Sequence, residues 1–171
     1  MKLLGALLIL IAGTLIGFQQ AARFADRPKQ IRQLSHSLQR LETEIGYGHT
    51  PLPEALLRTA EASSEPVASL FGGTAERLSM ADGLTFQQCW EQSIKRGWNE
   101  TSMKASEQGV LLRLGSTLGI SDKEDQMKHL RMALLQLQAE EDAAKDDQRR
   151  YEKMWKSLGA LLAVLIIILM L

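Results

Sequence analysis

The stretch LGSTLGISDKEDQMKHL, Leu114 to Leu130, holds the residues best suited to chemistry: two glycines, a serine and a dense acidic cluster. Three readings compete. A phosphate loop needs the spacing GxxxxGK[ST] after a strand. Here Gly115 and Gly119 follow a helical pattern, with Ile120 and Ser121 next. A hard-cation site would draw on Asp122, Glu124 and Asp125, because carboxylates close in sequence bind such ions. The third reading is a joint between helices. Gly119 falls where a helix ends on a left-handed residue. Ser121-Asp-Lys-Glu124 has the spacing of a capping box, and Asp122 and Asp125 suit the positive end of a helix dipole. The joint accounts for every one of these residues without an ion, so no metal is expected.

Other reactive side chains are scattered. His36, His49 and His129 lie on different elements without ligand spacing, His49 in a turn. Cys89, the single cysteine, sits beside Trp90 on an apolar face with no histidine nearby in sequence, which is a packing position. Trp90 and Trp98 read as core. No nucleophile, base and orienting group come together, so the sequence predicts no enzyme and no cofactor. A regulatory hydrolase would lose activity, without losing stability, on changing Asp122, Glu124 or Asp125.

The elements that carry these residues are helical. The 171 residues include twenty acidic and twenty basic side chains, a balance that gives no basic face for nucleic acid. Ala, Leu, Gln, Glu, Lys and Arg dominate the middle, a composition that favours helix. Pro28 is positioned to open a first helix, with Ile31, Leu34, Leu38, Leu41 and Ile45 as its apolar stripe and Gly46 and Gly48 as its end. His49, Thr50 and Pro51 turn the chain into a short helix with Leu56, Leu57 and Ala60 inward. A further helix starts at Glu65-Pro66, with Val67, Leu70, Phe71, Leu78 and Met80 apolar, and Gly72-Gly73 is a place for it to bend or split. After the Asp82-Gly83 turn, Thr85-x-x-Gln88 reads as a capping box ahead of Phe86, Cys89, Trp90 and Ile94. Asn99 is expected to cap the next helix, whose inner face is Met103, Val110, Leu111, Leu114 and Leu118. From Ser121 no break is found to the end of the chain. Met127, Leu130, Leu134 and Leu137 form its stripe, and the charged segment AEEDAAKDDQRRYEKMW reads as a solvated stalk or an interaction face.

The two ends read as membrane anchors. Leu3–Phe18 carries no charge and, as helix, is roughly 24 Å long. A cleaved signal peptide is the rival, but no small-x-small pattern follows Phe18, and Arg23, Arg27, Lys29 and Arg32 resist translocation. Leu158–Leu171 is apolar throughout, with Trp155 and Lys156 ahead of it as an interfacial ring and a snorkelling cation. A buried core helix is its rival. Arg149, Arg150, Lys153 and Lys156 precede this run, so the positive-inside rule places the middle of the chain in the cytoplasm and both termini outside. The expected organisation is an all-α cytoplasmic helical bundle flanked by N- and C-terminal transmembrane helices. Residues 1–22 form the anchor, 23–139 the helical domain, 140–157 the charged stalk and 158–171 the second span, with the last helix long and continuous into the membrane.

With LETEIGYGHTPLPEAL (Leu41–Leu56), LGSTLGISDKEDQ (Leu114–Gln126) and the two apolar ends laid out, the chain resembles the stage III sporulation protein AB family of endospore-forming bacteria over essentially its whole length. More distantly it resembles the cytoplasmic domain of the type II secretion and type IV pilus inner-membrane platform protein, through Thr50–Leu56 and Gly83–Phe86. The first resemblance implies a non-enzymatic platform in the complex between mother cell and forespore, at the cell membrane on the mother-cell side (the outer forespore membrane). Its implied partners are a secretion-type ATPase, stage III sporulation protein AA, the membrane subunits of the same complex and the lipid bilayer; a homo-oligomer stays open. The alternative is a passive scaffold that clusters polytopic subunits without coupling to the ATPase. Candidate contact residues are Tyr47, His49 and Thr50 in the glycine turn, Gly119, Ser121, Asp122, Glu124 and Asp125 in the joint, and Arg149 and Arg150 in the stalk.

Overall fold

In a computed structural model, the backbone is described for residues 2–47, 50–80, 83–120 and 122–170, and side chains for 22–47, 50–80, 83–120, 122–151 and 154. Among the described residues there are six α-helices, one short 3-10 turn and no strand. The helices are α1 (Lys2–Gly46), α2 (Leu52–Glu61), α3 (Val67–Ser79), α4 (Phe86–Gly97), α5 (Ala105–Gly115) and α6 (Lys123–Met170), with the 3-10 turn at Trp98–Glu100.

The long helices α1 and α6 run antiparallel along each other. Pairs across them show the register: the Phe24 and Tyr151 rings stack with centroids 3.9 Å apart, Arg32 pairs with Glu141 at 2.7 Å, and Arg131 pairs with Glu42 at 2.7 Å. Each of α2 to α5 packs on its sequence neighbours, and α5 returns to α6, closing a ring around one core. The stripe on α1 that the three- and four-residue spacing predicts is buried at Ile31, Leu34, Leu38 and Leu41. It meets Leu56, Leu70, Phe71, Trp90, Leu111 and Leu130 from the other helices. Trp90 is the centre of this core. Its ring lies edge-on to Phe71 with centroids 5.7 Å apart, and its Nε1–H donates to the Leu111 carbonyl at 2.7 Å, which satisfies its polar atom in the interior. A Cβ on Gly115 would overlap the Trp90 indole, so α5 approaches α4 this closely only with glycine there.

Several expectations are corrected. The fold is all-α, but the flanking transmembrane helices are not upheld: among the described residues no helix is long and apolar enough to cross a membrane. The physical reason is charge. The described part of α1 carries Arg23, Asp26, Arg27, Lys29 and Arg32 within three turns, and in that of α6 charges bound the uncharged run Met132–Ala139 on both sides. The runs Leu3–Phe18 and Leu158–Leu171 lie outside the residues whose side chains are described. The assignment to the cell membrane, with the centre in the cytoplasm and both termini outside, rested on those spans and falls with them. Pro28 does not open a helix; it lies inside α1. Leu57 is exposed, and Ala55 and Thr59 join Leu56 in the inward positions on α2. Gly72-Gly73 does not split α3, and at both positions an added Cβ would meet only ordinary van der Waals neighbours. Asn99 sits within the 3-10 turn; α5 starts later, with the Lys104 N–H held by Glu107 Oε2 at 2.8 Å. The Thr85 box forms in both halves: Gln88 N–H donates to Thr85 Oγ1 at 3.3 Å, and Thr85 N–H to Gln88 Oε1 at 2.9 Å.

Candidate interaction surface

The sequence-predicted candidates fall into two places. Helix α1 ends, and α2 and α6 begin, at one pole of the bundle. The glycine turn and the α5–α6 joint therefore meet there, and Thr50 and Leu52 line one depression with Lys123 and Gln126. Tyr47 borders a second depression with Lys123, Glu124 and Met127. His49 and Ser121 lie outside the described residues. Gly119 has φ +86°, the left-handed conformation that the joint requires, and an added Cβ there would sit 3.1 Å from Phe86 Cβ. The observed cap of α6 is Asp122, whose Oδ1 accepts the Asp125 N–H at 2.9 Å. Thr50 Oγ1 donates to Glu44 Oε2 at 3.1 Å, which ties the turn back to α1.

Two large apolar side chains stand in solvent at this pole, Tyr47 at 81% exposure and Ile120 at 73%. Glu124 and Asp125 are exposed beside them. Arg149 and Arg150 are also exposed, but they lie roughly 40 Å away along α6. The pole and this end are separate surfaces.

Within the charged segment of α6, Glu140, Glu141 and Asp147 reach α1. Glu140 and Asp147 belong to a cluster that sequence reasoning missed. Arg27, 4% exposed, donates from Nε to Glu107 Oε1 at 2.8 Å, from Nη2 to Glu140 at 3.1 Å and from Nη1 to Asp147 at 3.2 Å. Glu107 has no exposed surface. Its other oxygen also accepts from Ser106 Oγ at 3.1 Å, and Lys104 Nζ reaches Asp147 at 2.9 Å. Nothing in the spacing announces this, because Arg27 and Asp147 meet only through the α1–α6 register. The Lys104 hydrogen bond holds the Asp147 carboxyl below its ordinary value, outweighing its partial burial, with Arg27 and Arg150 adding to the effect. Burial would raise the Glu141 carboxyl, but hydrogen bonds from Lys145 and Arg32 together bring it below its ordinary value. The Glu141 and Asp142 carboxylates raise the Lys145 ammonium.

Cys89 is buried, the carboxylates around Arg27 are engaged with cations, and among the described residues no group of three His, Cys, Asp or Glu side chains could hold a metal. The sequence matches the family "Stage III sporulation protein AB (spore_III_AB)" over residues 2–171. The chain belongs to the stage III sporulation protein AB family. It is 45% identical to the stage III sporulation protein AB of Bacillus subtilis (strain 168), over 99% of both chains. It superposes on a solved structure of a stage III sporulation protein AB with a TM-score of 0.68 at 43% identity, covering 73% of this chain and 98% of that one. Like the family, the chain is a non-enzymatic platform component of a secretion-like membrane complex of sporulation.

Proposed function

We propose that the chain joins the secretion-type ATPase of this complex, stage III sporulation protein AA, to the complex's membrane subunits. The pole receives the ATPase through Tyr47, Thr50, Gly119, Asp122, Glu124 and Asp125, together with Ile120. The far end of α6, at Arg149 and Arg150, meets the membrane subunits. The observation that carries this reading is the meeting of two distant segments, each with an exposed apolar residue, at the start of a helix 48 residues long. Exposed aromatic and aliphatic side chains beside charges make a suitable docking patch. The antiparallel pairing with α1 braces α6, so a displacement at the pole carries along it instead of dissipating in a flexible linker. The test is to change Ile120→Asp and Glu124→Arg, both exposed, and to measure association with the ATPase alongside helix content. Loss of association with helix content kept is the expected result. Unchanged association would leave the passive scaffold as the better account.

A further inference from the structure

Helices α1 and α6 leave one side of their seam uncovered. Two adjoining depressions run along it and share Arg131 and Leu135. Met132 and Leu135 stand exposed in this groove, Leu135 at 67%. On α6 the residues facing out here recur at Lys128, Arg131, Leu135, Gln138 and Asp142, alternating three and four apart. That is the spacing of a helix–helix seam, yet among the described residues no helix lies on it.

We propose that a second copy of this chain covers this face, with the two α6 helices antiparallel across a two-fold axis at Leu135. The charge pattern favours this occupant. Lys128 and Asp142 lie equally far from Leu135 on either side, roughly 10 Å along the helix, and have opposite sign. A two-fold axis at Leu135 therefore sets Lys128 of one copy against Asp142 of the other, twice, and places the two Leu135 side chains face to face. Lys145 and Asp125 repeat the relation at the flank. Lys128 has no ion-pair partner among the described residues, and Asp142 meets only Lys145, at 3.1 Å on the surface. The one like-signed pairing, Glu124 with Asp146, falls at the exposed rim, where Arg149 stands 4.0 Å from Asp146. A self-complementary patch of this kind is what an isologous interface requires. From Lys123 to Lys145 the seam is roughly 33 Å long and about two helix diameters wide, which falls at the lower edge of specific interfaces. The dimer is therefore weak and concentration-dependent. Its centre at Leu135 lies roughly 17 Å along α6 from Glu124, and only its rim at Lys123–Asp125 reaches the pole, so the Leu135, Lys128 and Asp142 variants test it apart from the ATPase contact.

The test uses the full-length chain in sporulating cells. Leu135→Cys is exposed, and Cys89 is buried and serves as an internal control. Mild oxidation should join Leu135→Cys into a covalent dimer, while Gln87→Cys, exposed on α4, should not. In the Leu135→Cys background, Lys128→Asp should slow cross-linking about tenfold, as should Asp142→Lys. The double exchange should restore it to within about threefold. Cross-linking no faster at 135 than at 87, a covalent product with a different polypeptide, or failure of the double exchange to restore the rate would each overturn the proposal.

Discussion

Replacing Arg27 with methionine probes the joint between α1, α5 and α6 most sharply. The guanidinium is almost wholly buried and meets three carboxylates, of which Glu107 has no exposure while Glu140 and Asp147 reach solvent. Removing one member of a buried ion pair costs about 3–5 kcal/mol, because the other charge is left without its counter-ion. Glu107 keeps the Lys104 N–H and the Ser106 hydroxyl, each worth about 1 kcal/mol, so the cost falls near the low end, about 3 kcal/mol. Glu107→Gln is milder, about 1–2 kcal/mol: it keeps an acceptor for Lys104 and leaves Arg27 with two partners. The double variant should cost less than the sum by about 1–2 kcal/mol. Urea unfolding followed by far-ultraviolet circular dichroism near neutral pH measures all three. An Arg27→Met variant no less stable than Glu107→Gln, or strict additivity, would refute the assignment of Arg27 as the shared counter-ion.

Three further outcomes follow from the same contacts. Gly115→Ala should cost about 1–3 kcal/mol by overpacking against Trp90, and should shift the tryptophan emission as the ring is displaced. Thr85→Ala should cost about 1 kcal/mol in thermal or urea unfolding, because it removes the acceptor for Gln88 N–H. Glu141 and Asp147 are both held below their ordinary values. The stability they contribute is therefore present above the ordinary carboxylate range and is lost as the pH falls through their lowered values. Denaturation midpoints taken down that range should fall less steeply in a Lys104→Met, Arg32→Gln variant.

The core of this fold was legible because periodic apolar residues must be covered by something. The stripe from Ile31 to Leu41 and the inner face of α5 follow from spacing alone. So do the Thr85 box and the left-handed Gly119, since each rests on residues within one turn. Boundaries were harder to read. Pro28 suits a helix start, yet the helix continues through it, and the start of α5 has no Ser or Thr cap to mark it. Leu57 was misplaced because it adjoins Leu56 in sequence but lies about 100° further round α2, where Ala55, Leu56 and Thr59 already fill the inward side. The candidate contacts were legible as separate segments; that the glycine turn and the α5–α6 joint share one pole depends on the α1–α6 register. The Arg27 cluster depends on that register too, and Arg27 by itself reads only as one of several basic residues after an apolar run.

Site-specific photo-cross-linking from position 120 in sporulating cells tests the central claim most directly. A cross-linker in place of Ile120 stands at the pole, beside the start of α6. The account predicts a covalent product with the secretion-type ATPase, lost when Glu124→Arg is added and absent from a cross-linker at position 87. Products formed only with membrane subunits, or equal yields from positions 120 and 87, would contradict it.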